Sequence, residues 1–430
     1  MTAVRYSHGR AARFYVPLLL QAFAQSFTYP LVGSIVSACD AGVNALSAFS
    51  IGQVVMFMIG AVGGGLVMTG MVFAKTAEGY RTYRRLNSIM MVALLSVQVL
   101  LCLHPTDRLL FQTLLNLPPD QIEIARRTLF QGLVMQAGFF LRNLPLVALF
   151  NAYASFEANL ATIARISLTF VFALVFPHYG MTGPDWGMFA ITVPILVEYV
   201  FCSVFARKYV RRLDAGAPSS LAEQFRFTMP LSVGAGLLAL SPFLMAMFVG
   251  RTANAADMLA IHYVTLGIAN PVAYAALRMQ AVAIQFPPEW SGDRRLLKFA
   301  VVSGLLLGLL PLALSLPGIG DWYYGRCQNV PERILPTARL VSMMYAFICA
   351  IQAVRGRVEG LAALFKRPEA VMAGQVVYTA ALVSVLWLLL PLGVPGYLMA
   401  VSAIYIAPSA SICAVYAVLA LKRRRKDGAR

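Results

Sequence analysis

Apolar runs of roughly 20 residues recur along the whole chain, and each is long enough to cross a bilayer as a helix. Twelve runs are predicted to span a membrane: residues 14–38, 45–73, 86–104, 127–149, 159–177, 187–206, 227–249, 258–285, 299–317, 337–354, 370–390 and 395–420. The chain is 59% hydrophobic and only 12% charged over 430 residues, which a water-soluble domain could not bury. The sequence therefore predicts an all-α polytopic membrane protein.

The positive charges lie in alternate loops between these runs. The net charge is +17, and the basic clusters lie at 5–13, 75–85, 207–212, 294–298, 366–367 and in the tail at 422–430. Because cytoplasmic loops carry the excess of Lys and Arg, both termini are predicted to be cytoplasmic, which requires an even number of spans. This placement predicts a multi-pass plasma (inner) membrane protein and argues against nucleic acid as the partner.

Residues for enzymatic or metal chemistry are sparse. The six cysteines have no CxxC spacing, and most lie in apolar runs, where cysteine behaves as a small hydrophobic residue. The four histidines lack an obvious nucleophile partner, and the chain has no GxxxxGK[ST] loop, HExxH motif or aspartate cluster. We therefore predict no enzymatic activity, no metal site and no cofactor.

A sequence repeat divides the chain into two halves of six spans. The first span opens with "RFYVPL" (Arg13–Leu18) and the seventh with "RFTMPL" (Arg226–Leu231), an offset of 213 residues. At the same offset, Arg142 near the end of the fourth span matches Arg355 near the end of the tenth. The predicted parts are an N-terminal lobe at 1–206, a basic cytoplasmic linker at 207–226, a C-terminal lobe at 227–421 and the tail at 422–430.

Two six-helix lobes around a central cavity are typical of transporters that work by alternating access. Since both halves begin and end inside, the repeat is parallel, and Arg142 and Arg355 are expected to face each other across its axis. Prolines in moving helices are candidate hinges, although proline is common in transmembrane helices in general. The hinge candidates are Pro17, Pro230 and Pro271, and the protein is expected to be a monomer.

Ionisable residues inside the spans are the candidate functional residues, because a charge facing lipid costs several kcal/mol. The substrate-binding candidates are Arg142, Arg165, Arg278, Arg355 and Arg357, and the coupling candidates are Glu198, Glu359 and His262. The excess of arginine favours an anionic substrate, since a guanidinium binds carboxylate and phosphate through two hydrogen bonds.

Structural roles for the same residues remain open at this point. Arg355 and Arg357 could be cytoplasmic anchors whose head groups reach the membrane surface. Arg142 and Arg165 could each pair with Glu157 or Glu198, and His262 could be a satisfied interior histidine.

The segment "LLNLPPDQIEIARRTLFQGLVMQAGFFLRN" (114–143) resembles the multidrug/oligosaccharidyl-lipid/polysaccharide (MOP) exporter superfamily. Within it, "PVAYAALRMQAVAIQFP" and "AVRGRVEGLAALFKRP" resemble the progressive ankylosis (ANKH) family, with Val354, Arg355, Gly360 and Lys366 at matching positions. This resemblance implies the superfamily's membrane fold and export of pyrophosphate, citrate or nucleotide-related anions.

The first functional hypothesis is an alternating-access exporter of small organic or phosphate-containing anions, in contact with membrane lipids. The alternative is a flippase for a lipid-linked oligosaccharide or lipid diphosphate, which would use the same arginines. A drug or cation antiporter is less favoured, because such a protein needs acidic residues to hold its cation.

Overall fold

The computed structural model describes residues 6–40, 42–115, 117–217, 219–288, 294–328 and 330–427, and every regular element within them is helical. The α-helices are α1 (His8–Ser37), α2 (Gly42–Ala61), α3 (Gly65–Phe73), α4 (Ala77–Cys102), α5 (Thr106–Arg108), α6 (Pro119–Asn151), α7 (Ser155–His178), α8 (Pro184–Val210), α9 (Leu221–Ala239), α10 (Ser241–Val249), α11 (Ala255–Leu277), α12 (Met279–Gln285), α13 (Arg295–Ala313), α14 (Pro317–Gly320), α15 (Leu335–Met344), α16 (Ile348–Leu364), α17 (Pro368–Leu389) and α18 (Gly396–Asp427).

Among the described residues, eleven helical segments are long and apolar enough to cross a membrane. They coincide with predicted spans two to twelve, and α1 covers the first predicted span. The all-α polytopic prediction is confirmed. The largest difference is in the tenth span, which was predicted to end at 354 but runs over Glu332–Leu364. The charges after 354 interrupt the apolar pattern without ending the helix, since they are buried there.

The chain packs as two units, one of residues 24–236 and one of residues 1–23 with 237–430. The first contains α2 to α8 and the second contains α10 to α18, so the division passes through α1 and α9. The predicted lobes divide instead at the linker, 207–226, and that division remains a prediction. Of the predicted tail at 422–430, residues 428–430 lie outside the described residues.

The helix bounds follow the repeat of 213 residues found in the sequence. Shifted by that offset, α6 (Pro119–Asn151) gives the bounds of the tenth span, Glu332–Leu364. In the same way, the first residue of α7, Ser155, corresponds to the first residue of α17, Pro368. Positive φ angles recur in the same way, with 58° at Tyr153 and 54° at Lys366, and 70° at Gly180 and 67° at Gly393. Each unit is therefore built on the same order of helices and turns.

One helix lies at the centre of packing in each unit. In the first unit α6 packs against α2, α4 and α8, and in the second α16 packs against α11, α12, α13 and α18. Close packing around α6 is possible because Gly138, which has no side chain, lies against Ile195 and Leu196 of α8 and lets the two helices approach. These two central helices carry Arg142 and Arg355.

Two helices cross closely at equivalent places in the two units, but the glycine at the crossing lies on a different one of the two helices in each unit. A Cβ atom on Gly70 of α3 would lie 2.7 Å from both Cγ atoms of Val147 of α6. In the second unit a Cβ atom on Gly360 of α16 would lie 2.8 Å from the Cβ of Ala283 of α12. The repeat relates Gly70 to Ala283 and Val147 to Gly360, so each unit keeps one glycine at this crossing.

Several spans are interrupted rather than continuous. A 3₁₀ turn at Val62–Gly64 separates α2 from α3, Arg278 separates α11 from α12, and a second 3₁₀ turn at Tyr345–Phe347 separates α15 from α16. The proposed hinge residues Pro230 and Pro271 lie inside α9 and α11, and Pro17 lies within the bounds of α1. A proline removes one helical hydrogen bond at each place. Their role as hinges remains a prediction.

Candidate functional site

Three helices of the first unit bring two arginines to one glutamate. Arg142 Nη1 of α6 lies 2.7 Å from Glu198 Oε2 of α8, and Arg165 Nη1 of α7 lies 3.4 Å from the same oxygen. The other carboxylate oxygen accepts a 2.5 Å hydrogen bond from Thr162 Oγ1. The guanidinium of Arg142 also lies 4.9 Å from the centre of the Phe139 ring. Two cations share one anion, so this buried cluster has an excess of one positive charge.

The sequence allowed Glu157 or Glu198 as the partner of these arginines, and the structure selects Glu198. The carboxylate of Glu157 accepts from Lys208 Nζ at 2.6 Å and from Tyr209 Oη at 3.2 Å instead. The Lys208 side chain is 54% exposed, whereas Glu198 is completely buried. Glu157 therefore belongs to the end of α7 and Glu198 to the interior of the unit.

The second unit has a comparable cluster built mainly on one helix. Arg355 Nε donates to Glu359 Oε1 at 2.8 Å, one turn along α16. The other oxygen of Glu359 accepts from Gln280 Nε2 of α12. The Arg355 guanidinium lies 4.6 Å from the centre of the Tyr378 ring of α17. Arg355 is 3% exposed, so it is not an anchor at the surface of the unit.

Arg357 points to a different face of α16. Its Nη1 donates to Tyr416 Oη of α18 at 2.7 Å, and the residue is 8% exposed. Within the described part of the chain no acidic side chain pairs with it. Like the first unit, the second unit buries two arginines and one glutamate among its described residues, but here only Arg355 pairs with the glutamate.

The remaining candidates are Arg278 and His262. Arg278 is half-buried at the break between α11 and α12. His262 of α11 is buried, and its Nδ1 atom has no hydrogen-bond partner within the described residues. In those residues no three His, Cys, Asp or Glu side chains come together as a metal site, and the absence of a cofactor stays a prediction.

Arg355 lines a cavity of about 70 Å³ inside the second unit. Helices α10, α11, α16, α17 and α18 and the end of α9 contribute to its wall, which is mostly apolar. Its other polar or aromatic lining residues are Ser241, Asn270, Tyr274, Tyr345, Gln352 and Tyr378. The Nη2 atom of Arg355 is buried without a hydrogen-bond partner among the described residues.

Sequence reasoning missed Thr162, Gln280, Tyr378 and Tyr416, which contact the charged candidates. The repeat contained a signal for one of them, because an offset of 213 residues relates Arg165 to Tyr378. Both side chains lie beside the central arginine cluster of their own unit. The other three are common polar residues within helices, and no pattern distinguishes them.

The whole chain is similar to solved structures of membrane transporters. The eukaryotic MATE transporter AtDTX14 superposes with a TM-score of 0.75 at 15% identity, covering 97% of each chain. An outward-facing multidrug resistance MATE family transporter of the MOP superfamily gives 0.69 at 15% identity, covering 100% of this chain and 98% of that chain. A MOP superfamily transporter from Pyrococcus furiosus gives 0.67 at 14% identity, covering 96% of each chain. The chain has the MATE fold.

No family model and no curated protein matches the sequence. The structural neighbours with the MATE fold support the predicted resemblance to the MOP superfamily but not the narrower resemblance to the ANKH proteins. They also agree with a multi-pass membrane protein, whereas the cytoplasmic position of both termini remains a prediction.

Proposed function

We propose that this chain is an alternating-access membrane exporter of small organic or phosphate-containing anions. The observation that carries the proposal is the charge of the buried side chains. Among the described residues, the buried arginines and carboxylates of the spans are four arginines and two glutamates, with two arginines and one glutamate in each unit. Buried charges of one sign need a counterion, and an anionic substrate would provide it.

The arrangement of the acids supports an anion over a cation as substrate. The two carboxylates that are buried among the described residues, Glu198 and Glu359, are already the partners of arginines. A cation would have to displace a guanidinium from one of them, leaving that guanidinium buried without a partner. An anion can instead bind to arginine hydrogens while the ion pairs remain in place. The same pairing favours a structural role for Glu198 over a role in proton coupling.

The membrane potential would favour this direction of transport. With the interior of the cell negative, each negative charge that moves outwards gains about 2.3 kcal/mol per 100 mV. An anion exporter therefore needs no coupled ion. The Pyrococcus furiosus transporter with the same fold is described with the words "Reverse polarity of binding pocket suggests different function", so binding-pocket polarity differs among proteins of this fold.

Uptake of labelled citrate, pyrophosphate and benzoate into inside-out vesicles tests the proposal. In the variant Arg165→Gln/Arg357→Gln each buried glutamate keeps its nearest arginine, at 2.7 Å for Glu198 and 2.8 Å for Glu359. The variant thus removes the excess charge without leaving an unpaired carboxylate. We expect wild-type vesicles to accumulate at least one anion, and the variant to do so about 10- to 100-fold more slowly, since a hydrogen bond to a charged group contributes about 1.5–3 kcal/mol.

A matched control removes the same number of charges from exposed positions. Arg126→Gln/Arg333→Gln affects arginines whose side chains are 37% and 72% exposed, and uptake should remain at the wild-type rate. Equal loss in the two double variants would mean that total charge matters rather than the buried clusters. If wild-type vesicles take up no anion but translocate a lipid diphosphate, the flippase hypothesis replaces this one.

A further inference from the structure

The cavity in the second unit combines one cationic group with a mainly apolar wall. Its polar side chains other than the tyrosines are Arg355, Gln352, Asn270 and Ser241. The apolar part comes from residues on several helices, among them Leu238, Met245, Leu266, Leu277, Ile348 and Ile404. Pockets that bind organic molecules have this composition, with a few polar groups that fix the orientation of the ligand.

The guanidinium of Arg355 has a buried donor that is available to a ligand. Its Nε donates to Glu359, and its Cζ atom lies over the ring of Tyr378. Its Nη2 is buried and has no partner within the described residues. A buried donor without an acceptor is unfavourable by about 1–3 kcal/mol, and more when the donor is charged. A ligand oxygen in the cavity would remove that penalty.

Gln352 lies next to Arg355 on the same face of α16. The two residues are three positions apart, which places their side chains one above the other, and both line the cavity. The Oε1 atom of Gln352 is also buried and has no donor within the described residues. Arg355 and Gln352 therefore form a polar end in an otherwise apolar wall.

The number of buried charges limits the charge of the ligand. Among the described residues of the second unit, the buried charged side chains are Arg355, Arg357 and Glu359, whose charges sum to one positive charge. Arg357 lies on another face of α16 and binds Tyr416, so one carboxylate at Arg355 balances the charge of the unit as a whole. A trianion such as citrate, or pyrophosphate, would bring an excess of negative charge into an apolar site, which is unfavourable.

We propose that this cavity binds a singly charged organic anion, a monocarboxylate with an apolar group, through the free Nη2 of Arg355. This inference rests on the proposed function and specifies its substrate class. At about 70 Å³ the cavity encloses only the carboxylate end. Tyr274 lines the cavity and is 54% exposed, and we place the apolar group along that ring.

Calorimetric titration of the purified full-length protein tests the proposal, with benzoate, acetate, citrate and pyrophosphate as the probes. We expect benzoate to bind most tightly and the two multivalent anions to bind at least about tenfold more weakly. Ala273→Phe fills the cavity wall and leaves the ion pair intact, and Arg355→Gln/Glu359→Gln removes the ion pair without changing the net charge. Each should weaken benzoate binding about 10- to 100-fold.

Val302→Phe is the control for Ala273→Phe, because it adds the same ring at a side chain that is 56% exposed on α13. It should bind benzoate like the wild type. The proposal is overturned if benzoate does not bind, if citrate or pyrophosphate binds as tightly, or if Ala273→Phe binds benzoate normally. If inside-out vesicles take up citrate but the purified protein does not bind benzoate, the proposed function is retained and the proposed binding site is wrong. Vesicles that transport no anion would overturn the proposed function itself.

Discussion

Replacing Glu198 by Gln is expected to lower the free energy of unfolding by about 3–5 kcal/mol. The carboxylate is completely buried and is shared by Arg142 and Arg165 at 2.7 and 3.4 Å. Its removal would leave two buried guanidinium groups of like charge without a countercharge. The midpoint of thermal unfolding of the purified protein measures the effect.

Two further variants distinguish the loss of the ion pair from a general effect of the substitution. Glu157→Gln breaks the pair with Lys208, whose side chain is 54% exposed, and should cost at most about 1 kcal/mol. Glu198→Gln/Arg165→Gln restores the wild-type net charge of the cluster and should recover part of the loss. A midpoint for Glu198→Gln equal to that of the wild type would show that the buried cluster does not stabilise the fold.

Gly308→Ala is expected to destabilise the protein by at least about 1–3 kcal/mol, the range typical of overpacking. A Cβ atom on Gly308 would collide with the carbonyl oxygen of Ala346, and one on Gly304, a turn earlier in α13, would collide with the backbone of Ala350. Because these obstacles are backbone atoms, a change of rotamer cannot relieve them. The helix α13 and the tenth span would have to separate.

The direction of the stability change distinguishes a glycine at a close helix contact from an ordinary glycine in a helix. A glycine to alanine change within a helix normally stabilises it by up to about 1 kcal/mol. A Cβ atom on Gly267 of α11 would have no neighbouring atom within 4 Å, so Gly267→Ala should be neutral or stabilising. Unfolding midpoints of the two variants should therefore move in opposite directions. A stabilising effect of Gly308→Ala would mean that the contact with the tenth span is looser than described.

The same contact links stability to the candidate site. Ala346 belongs to the 3₁₀ turn at Tyr345–Phe347, and Tyr345 and Ile348 on either side of it line the cavity. A shift of this turn would change the cavity that contains Arg355. We therefore expect Gly308→Ala to weaken ligand binding as well as to lower the unfolding midpoint.

The spans could be predicted from the sequence because bilayer thickness imposes a length on each apolar run. The prediction failed at the end of the tenth span, where Arg355, Arg357 and Glu359 lower the local hydropathy. The helix continues to Leu364 because two of these charges neutralise each other within it and the third binds Tyr416. A hydropathy pattern cannot show such pairing.

The repeat could also be found from the sequence, since the few matching residues lie at equivalent helix positions. The partners of the buried arginines could not, because they depend on how each helix is rotated about its axis. Glu157 and Glu198 were equivalent choices until the packing of α7 on α8 was known. The cavity was also inaccessible to sequence reasoning, since its wall combines residues from several helices that are distant in the chain.

The two charge clusters differ in how their charges enter the membrane during synthesis. Arg355 and Glu359 lie one turn apart on α16, so that segment is inserted with its own countercharge. Arg142 and Arg165 lie on α6 and α7, and their glutamate follows only on α8. Each unpaired arginine adds about 2.5–3.5 kcal/mol to the insertion of its helix. The first half of the protein therefore depends on a later helix to pair both of its arginines, whereas in the tenth span Arg355 is paired within its own helix and only Arg357 finds its partner on a later one.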